Sequence, residues 1–116
     1  MNQKAIAAVA EAKKHIGFPD SWARWRNPSI QAFDYSGFVQ YCYKKVGINL
    51  PWTTNDQVNC GTAVSQGNLK VGDLVFPHAG YIGLYVWNGR MIHAPPNGDV
   101  VKISTITHFY TARRVA

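Results

Sequence analysis

The residues able to do chemistry gather around Phe33-Asp34-Tyr35-Ser36-Gly37-Phe38-Val39-Gln40-Tyr41-Cys42-Tyr43. Asp34 is a good helix N-cap, because its carboxylate accepts from the free N–H groups of a first turn. Tyr35, Phe38, Val39, Cys42 and Val46 then follow at the spacing of one helix face, and Gly47 supplies a left-handed stop. Tyr35 therefore stands at the positive end of the helix dipole and also on the core-facing stripe. A cysteine in such a place would have a depressed pKa and be nucleophilic. This chain carries a phenol instead, and a phenol with a pKa of about 10 is ionised in roughly one molecule in a thousand at neutral pH. Cys42 does not substitute for it: it lies about 10 Å further along the helix and points into the core, where it packs as a small hydrophobe. Cys60 falls in a polar, glycine-containing loop, and a disulfide is not indicated.

The elements that must position these residues read as helices first and strands after. Residues 3–16 form a helix with Ala5, Val9, Ala12 and Ile16 on one face and Lys4, Glu11 and Lys14 pointing away; Gly17 ends it. Residues 18–33 are an irregular aromatic and basic loop holding Trp22, Arg24, Trp25 and Arg26. A short helix capped by Thr54 or Asn55 runs to about residue 59 and breaks at Gly61. Strands are expected at 63–64, 74–76, 81–87, 90–94, 100–103 and 107–113, the last anchored by Phe109 and Ala112. Pro95-Pro96-Asn97-Gly98 reads as a turn. This is an α+β layout.

The central stretch resembles the nucleophile motif of the NlpC-type cell-wall peptidases, papain-like cysteine endopeptidases that cut peptidoglycan stem peptides. In Phe33-Asp34-X-Ser36-Gly37-Phe38-Val39-Gln40-Tyr41 the family has its catalytic cysteine at X, where this chain has Tyr35. Asn68-Leu69-Lys70-Val71-Gly72-Asp73-Leu74-Val75-Phe76 resembles the family's entry into its main sheet, and Leu50-Pro51-Trp52-Thr53-Thr54 with Gln57 matches as well. The resemblance implies a base histidine at the start of Tyr81-Ile82-Gly83-Leu84-Tyr85, but the residue there is Tyr81. It implies an orienting histidine in Met91-Ile92-His93-Ala94-Pro95, and His93 is present. Trp25 would line the substrate groove, although Arg26 and Asn27 stand where the family has two glycines; the other use for Trp22 and Trp25 is packing on the first helix. Asp34, Ser36, Gly37 and the loop histidine His78 complete the expected groove.

The hairpin at Asn88-Gly89 offers a geometric test of this resemblance. A two-residue turn would pair Trp87 with Arg90 and put Tyr81 and His93 on opposite faces. A three-residue loop with Gly89 left-handed pairs Val86 with Arg90 and His93 with Gly83, and puts Tyr81 and His93 on one face. The resemblance requires the second arrangement.

With 116 residues, 47% hydrophobic and 16% charged, the chain reads as one globular domain over residues 1–116. No apolar run reaches the roughly 18 residues of a membrane span. Residues 1–10 are too quickly followed by Glu11, Lys13 and Lys14 to read as a signal peptide. The net charge of +6 favours anionic partners such as cell wall. The basic doublets Lys13-Lys14, Lys44-Lys45 and Arg113-Arg114 lack interleaved aromatics, which argues against specific nucleic-acid binding.

The expectation is a papain-like cysteine peptidase fold of N-terminal helices on a C-terminal antiparallel sheet, with no cofactor and no metal. Two phenols stand where sulfur should attack and imidazole should take the proton. They supply aromatic faces and hydroxyls without a proton relay. The function expected is therefore a catalytically inactive binding or structural module, outside the cell or on its wall, in a secreted or phage-like assembly, with a stem peptide or a protein as partner. Two alternatives stay open: a γ-D-glutamyl-type peptidoglycan endopeptidase inactivated by engineering, and an enzyme of altered chemistry using Tyr35, His93 or Cys60.

Overall fold

The computed structural model describes residues 3–17, 34–95 and 100–116; Trp22, Trp25 and most of the 95–98 turn lie outside them. Helix α1 (Gln3–Lys13) buries Ala5, Ala8, Val9 and Ala12. The helix stops three residues short of Ile16, so the helical period no longer holds there. His15 takes the inward place and Ile16 is exposed, which corrects the expected stripe. Glu11 does not point away either. Its carboxylate lies 3.1 Å from His15 Nε2 and 3.5 Å from Lys14 Nζ. Burial pushes the Glu11 carboxyl up, but the His15 hydrogen bond and Lys14 outweigh it and leave it below the usual value.

Helix α2 (Asp34–Lys44) lies against α1. Asp34 is its first residue rather than the residue before it. Phe38, Val39 and Cys42 are buried and Tyr35 and Val46 half-buried, so the predicted stripe is the core face. Tyr43 joins it, fully buried, and its hydroxyl donates to the Gly72 carbonyl. Helix α3 (Thr54–Gln57) is capped by Thr53, whose hydroxyl accepts from Asp56 N at 3.2 Å. Thr54 is turned inward and buried, so neither it nor Asn55 serves as the cap, and the helix ends two residues earlier than expected.

The strands are β1 (Thr62–Ala63), β2 (Leu74–Phe76), β3 (Gly83–Tyr85), β4 (Arg90–His93), β5 (Lys102–Thr105) and β6 (Thr111–Arg114). They form one sheet in the order β1-β6-β2-β3-β4-β5, with every neighbouring pair antiparallel. Helix α2 packs on β3 and β4, and Phe38, Val39, Cys42, Leu74, Phe76, Ile82, Leu84 and Ile92 share the core. The α+β arrangement is the expected one. The last two strands begin later than predicted. Val101 is buried just before β5, and Phe109 is only half-buried, leaving Ala112 as the anchor within β6. β3 is shorter than predicted, so Tyr81 lies just before the strand rather than in it.

Two contacts tie the turn before β2 to the rest. Asp73 is buried, and its carboxylate accepts from Arg114 Nε at 2.8 Å, Arg114 Nη2 at 2.7 Å and Lys70 N at 2.8 Å. Gly72 has φ +89°, and a Cβ placed there would lie 2.5 Å from Ala5 Cβ and 2.9 Å from Ala5 Cα. Because α1 backbone blocks the way, Gly72→Ala combines a left-handed strain with overpacking. It is expected to cost about 2 kcal/mol, read as a lowered urea midpoint at unchanged slope.

Candidate functional site

Tyr35 leaves the first turn of α2 and meets Tyr81 just before β3, their ring centroids 4.7 Å apart with planes inclined by 44°. His78, exposed in the loop before, stacks on Tyr81 as well: its centroid is 5.6 Å from that of Tyr81 at 24°. The His78 Nδ1–H donates to the Ala79 carbonyl at 3.0 Å. The Tyr81 hydroxyl lies 2.6 Å from His93 Nδ1. On the far side of the imidazole, Nε2 is 2.8 Å from Ser104 Oγ. Tyr35, His78, Tyr81, His93 and Ser104 thus form one continuous cluster between the start of α2 and the β3–β4–β5 ladder.

The register explains why Tyr81 and His93 meet. Leu84 pairs with Ile92 and Tyr85 with Met91, which sets Gly83 opposite His93, and Val86 N donates to Arg90 O at 3.0 Å. That is the pairing the three-residue loop requires. The turn itself differs from that loop in one respect. Asn88 (φ 51°) and Gly89 (φ 72°) are both left-handed, and Arg90 N donates to Trp87 O at 2.9 Å. A tight Asn-Gly turn is thus kept, and a bulge at Val86–Trp87 supplies the one-residue shift. A side chain at Gly83 would press on Met91 and on His93 Cβ, so the glycine makes room for the imidazole.

Of the other predicted site residues, Ser36 and Gly37 are buried in the first turn of α2. The Ser36 carbonyl accepts from Gln57 Nε2 at 3.0 Å, and the same amide reaches the Pro51 carbonyl at 2.9 Å. Gln57 therefore ties the Tyr35 turn to the segment after the helix. Trp25 and the Asp34 side chain lie outside the described residues. Both thiols are pushed up from the ordinary range. Burial drives Cys42 well above the ordinary thiol range, and Cys60 is raised by burial and by Asp56, with its Sγ facing the Asp56 carbonyl. Both are free thiols. Among the described residues no three His, Cys, Asp or Glu side chains gather as metal ligands would.

Sequence reasoning missed Ser104. Its signal is the β4–β5 register, in which Met91 pairs with Ser104 and His93 with Lys102. That makes Ser104 the diagonal neighbour of His93 on the same face.

Comparison with known proteins bears on the family and the fold. The model of the NlpC/P60 family matches residues 22–116. The protein called "Probable endopeptidase p60" of Listeria innocua is 44% identical over 96 residues, which is 79% of this chain and 20% of that protein. A "Gamma-DL-glutamyl hydrolase" of Bacillus subtilis is 37% identical over 101 residues, covering 80% of this chain and 24% of the relative. The chain thus spans about a fifth to a quarter of the length of these relatives. The crystal structure of the NlpC/p60 domain of the peptidoglycan hydrolase SagA superposes with TM-score 0.82 at 34% identity, covering 99% of this chain and 100% of that domain. The peptidoglycan hydrolase RipB of Mycobacterium tuberculosis gives 0.81 at 28%, covering 97% of this chain and 65% of that one. The motifs, the α+β architecture and these matches agree: the chain belongs to the NlpC/P60 family of peptidoglycan hydrolases and has its papain-like fold.

Proposed function

We propose that this chain is a catalytically inactive member of its family, a module that holds a peptidoglycan stem peptide in a groove floored by tyrosines. The observation that carries the reading is the Tyr35–Tyr81 ring contact with the Tyr81 hydroxyl bonded to His93. The two positions that should carry thiol and base carry phenols packed on one another. Acyl transfer in this fold needs a nucleophile and a base that accepts its proton. A neutral phenol is no general base, and His93 is already engaged with Tyr81 and Ser104. What remains suits recognition: two ring faces, a fixed hydroxyl and a net charge of +6 that draws the protein to anionic wall. The natural setting of such a module is the cell wall or a secreted assembly.

Co-sedimentation with purified sacculi tests the binding half. Raising salt from about 0.1 M to 1 M shortens the screening length from about 10 Å to 3 Å and strips purely electrostatic adsorption. A fraction that survives high salt, is displaced by soluble stem peptide and falls in the Tyr35→Ala, Tyr81→Ala double variant is the expected result. Binding eluted entirely by salt and indifferent to both tyrosines would contradict groove recognition.

A further inference from the structure

We propose that the cavity at the end of β3 away from the tyrosines is a second binding site, for a monocarboxylate with an apolar or aromatic body. Lys70 is its charge partner and Trp87 the wall on which the body packs. The proposal uses no residue of the tyrosine cluster and stands apart from the binding function above.

Backbone hydrogen bonds fix the floor. Gly72 N donates to the Tyr85 carbonyl and Tyr85 N donates to the Asp73 carbonyl, each at 2.9 Å. They clamp the turn before β2 to the end of β3, and Ala5 of α1 closes the back against Gly72. A cavity of about 570 Å³ opens there, with Leu69, Lys70, Val71, Val86, Trp87 and Asn88 in its lining. That volume falls within the roughly 300–1,000 Å³ of small-molecule sites. Trp87 follows Tyr81 by six residues of mostly extended chain, roughly 15–20 Å, so this cavity is separate from the tyrosine cluster.

The charges around the cavity select the ligand. Asp73 is buried, and its carboxylate is met by Arg114 Nε, Arg114 Nη2 and Lys70 N. The Arg114 fork is spent on that carboxylate and on the Asn68 carbonyl, 2.9 Å away. The Lys70 side chain, exposed at the rim, has no hydrogen-bond or ion-pair partner among the described residues. A second ammonium, Lys13 Nζ, stands 4.7 Å from the centroid of the Trp87 ring, which is 44% exposed. Two point charges thus flank an apolar wall of Leu69, Val71, Val86 and Trp87. A lysine suits a single negative charge, whereas the bidentate recognition of phosphate belongs to arginine, and the arginine here is already engaged. A neutral ligand would leave Lys70 unmatched. A small bare anion would leave the Trp87 ring and the aliphatic side chains uncovered.

Proton–nitrogen correlation spectra of the 15N-labelled protein, recorded during titration with 3-phenylpropionate, 3-phenylpropionamide, acetate and phenyl phosphate, test the site. 3-Phenylpropionate is expected to shift the signals of residues 69–71 and 85–88 and of the Trp87 indole saturably, leaving those of Tyr81 and His93 in place. The amide and acetate are expected to half-saturate about fivefold higher, and phenyl phosphate no lower than 3-phenylpropionate. Lys70→Gln is expected to raise the half-saturation of 3-phenylpropionate about threefold and to shrink its advantage over the amide. Lys70→Arg keeps that advantage, and Trp87→Ala weakens the carboxylate and the amide alike. Both side chains are exposed, so these variants keep the fold. Shifts that do not saturate, an amide as good as the carboxylate, a preference for phenyl phosphate, indifference to Lys70→Gln, or shifts centred on Tyr81 and His93 overturn the proposal. Failure of sacculus binding bears on the tyrosine groove alone.

Discussion

Tyr35→Cys combined with Tyr81→His is expected to raise peptidoglycan hydrolysis about 10³-fold or more above that of the unaltered protein. The argument is geometric. The side chain of residue 35 leaves the first turn of α2 toward residue 81, and residue 81 already contacts His93. A thiol at 35 would sit at the positive end of the helix dipole, where thiolate is favoured. An imidazole at 81 would lie beside it as base, with His93 behind to orient it and Ser104 behind His93. Neither single change is expected to suffice, because a thiol without its base and a base without its nucleophile each leave the couple broken, and members of such a unit are grossly non-additive. The measurement is soluble-fragment release from sacculi by mass spectrometry. A gain in the double variant that vanishes on adding His93→Ala supports the orienting role.

The largest stability effect is expected at Arg114. Asp73 is buried with its carboxylate held by both Arg114 nitrogens and by Lys70 N. Arg114→Ala leaves that charge with a single backbone donor. Asp73 is buried but the Arg114 side chain is a third exposed, so breaking the pair from this side falls between the surface and fully buried cases at about 2–3 kcal/mol, and a chain of this size should melt roughly 10 °C lower. The pair also joins the start of β2 to β6, its neighbour in the sheet, so the loss falls on the centre of the ladder. The control is to add Asp73→Asn to Arg114→Ala. Removing the stranded charge should return part of the loss, and thermal melts of the three proteins decide it. An Arg114→Ala protein as stable as the parent would show that the pair is solvated in effect.

Much of the site could be read from the sequence because local pattern and chemistry coincide there. The stripe from Phe38 to Cys42 has a helical period, so the direction of Tyr35 follows from its neighbours. Tyr81 and His93 could be placed together because a hairpin register has only two parities, and one of them separates the residues. The remainder depends on contacts that no local period encodes. Tyr43 lies off the predicted stripe and is buried because its hydroxyl finds the Gly72 carbonyl on a distant turn. Arg114 reads as half of a basic doublet, and only the β2–β6 pairing reveals its carboxylate. Ser104 fell just past the expected end of its strand and was invisible until β5 was placed two residues later. Ile16 was misplaced for the opposite reason: its period was read through a helix end that the structure puts at Lys13.

The central claim is that the proton-transfer couple is gone while the groove's frame is kept. The most direct measurement is product analysis by mass spectrometry after prolonged incubation of the unaltered protein with sacculi. The account predicts that no stem-peptide fragments appear above a no-protein control, while the protein itself is recovered in the pellet. Sustained release of such fragments by the unaltered chain, lost on Tyr35→Phe or His93→Ala, would contradict it.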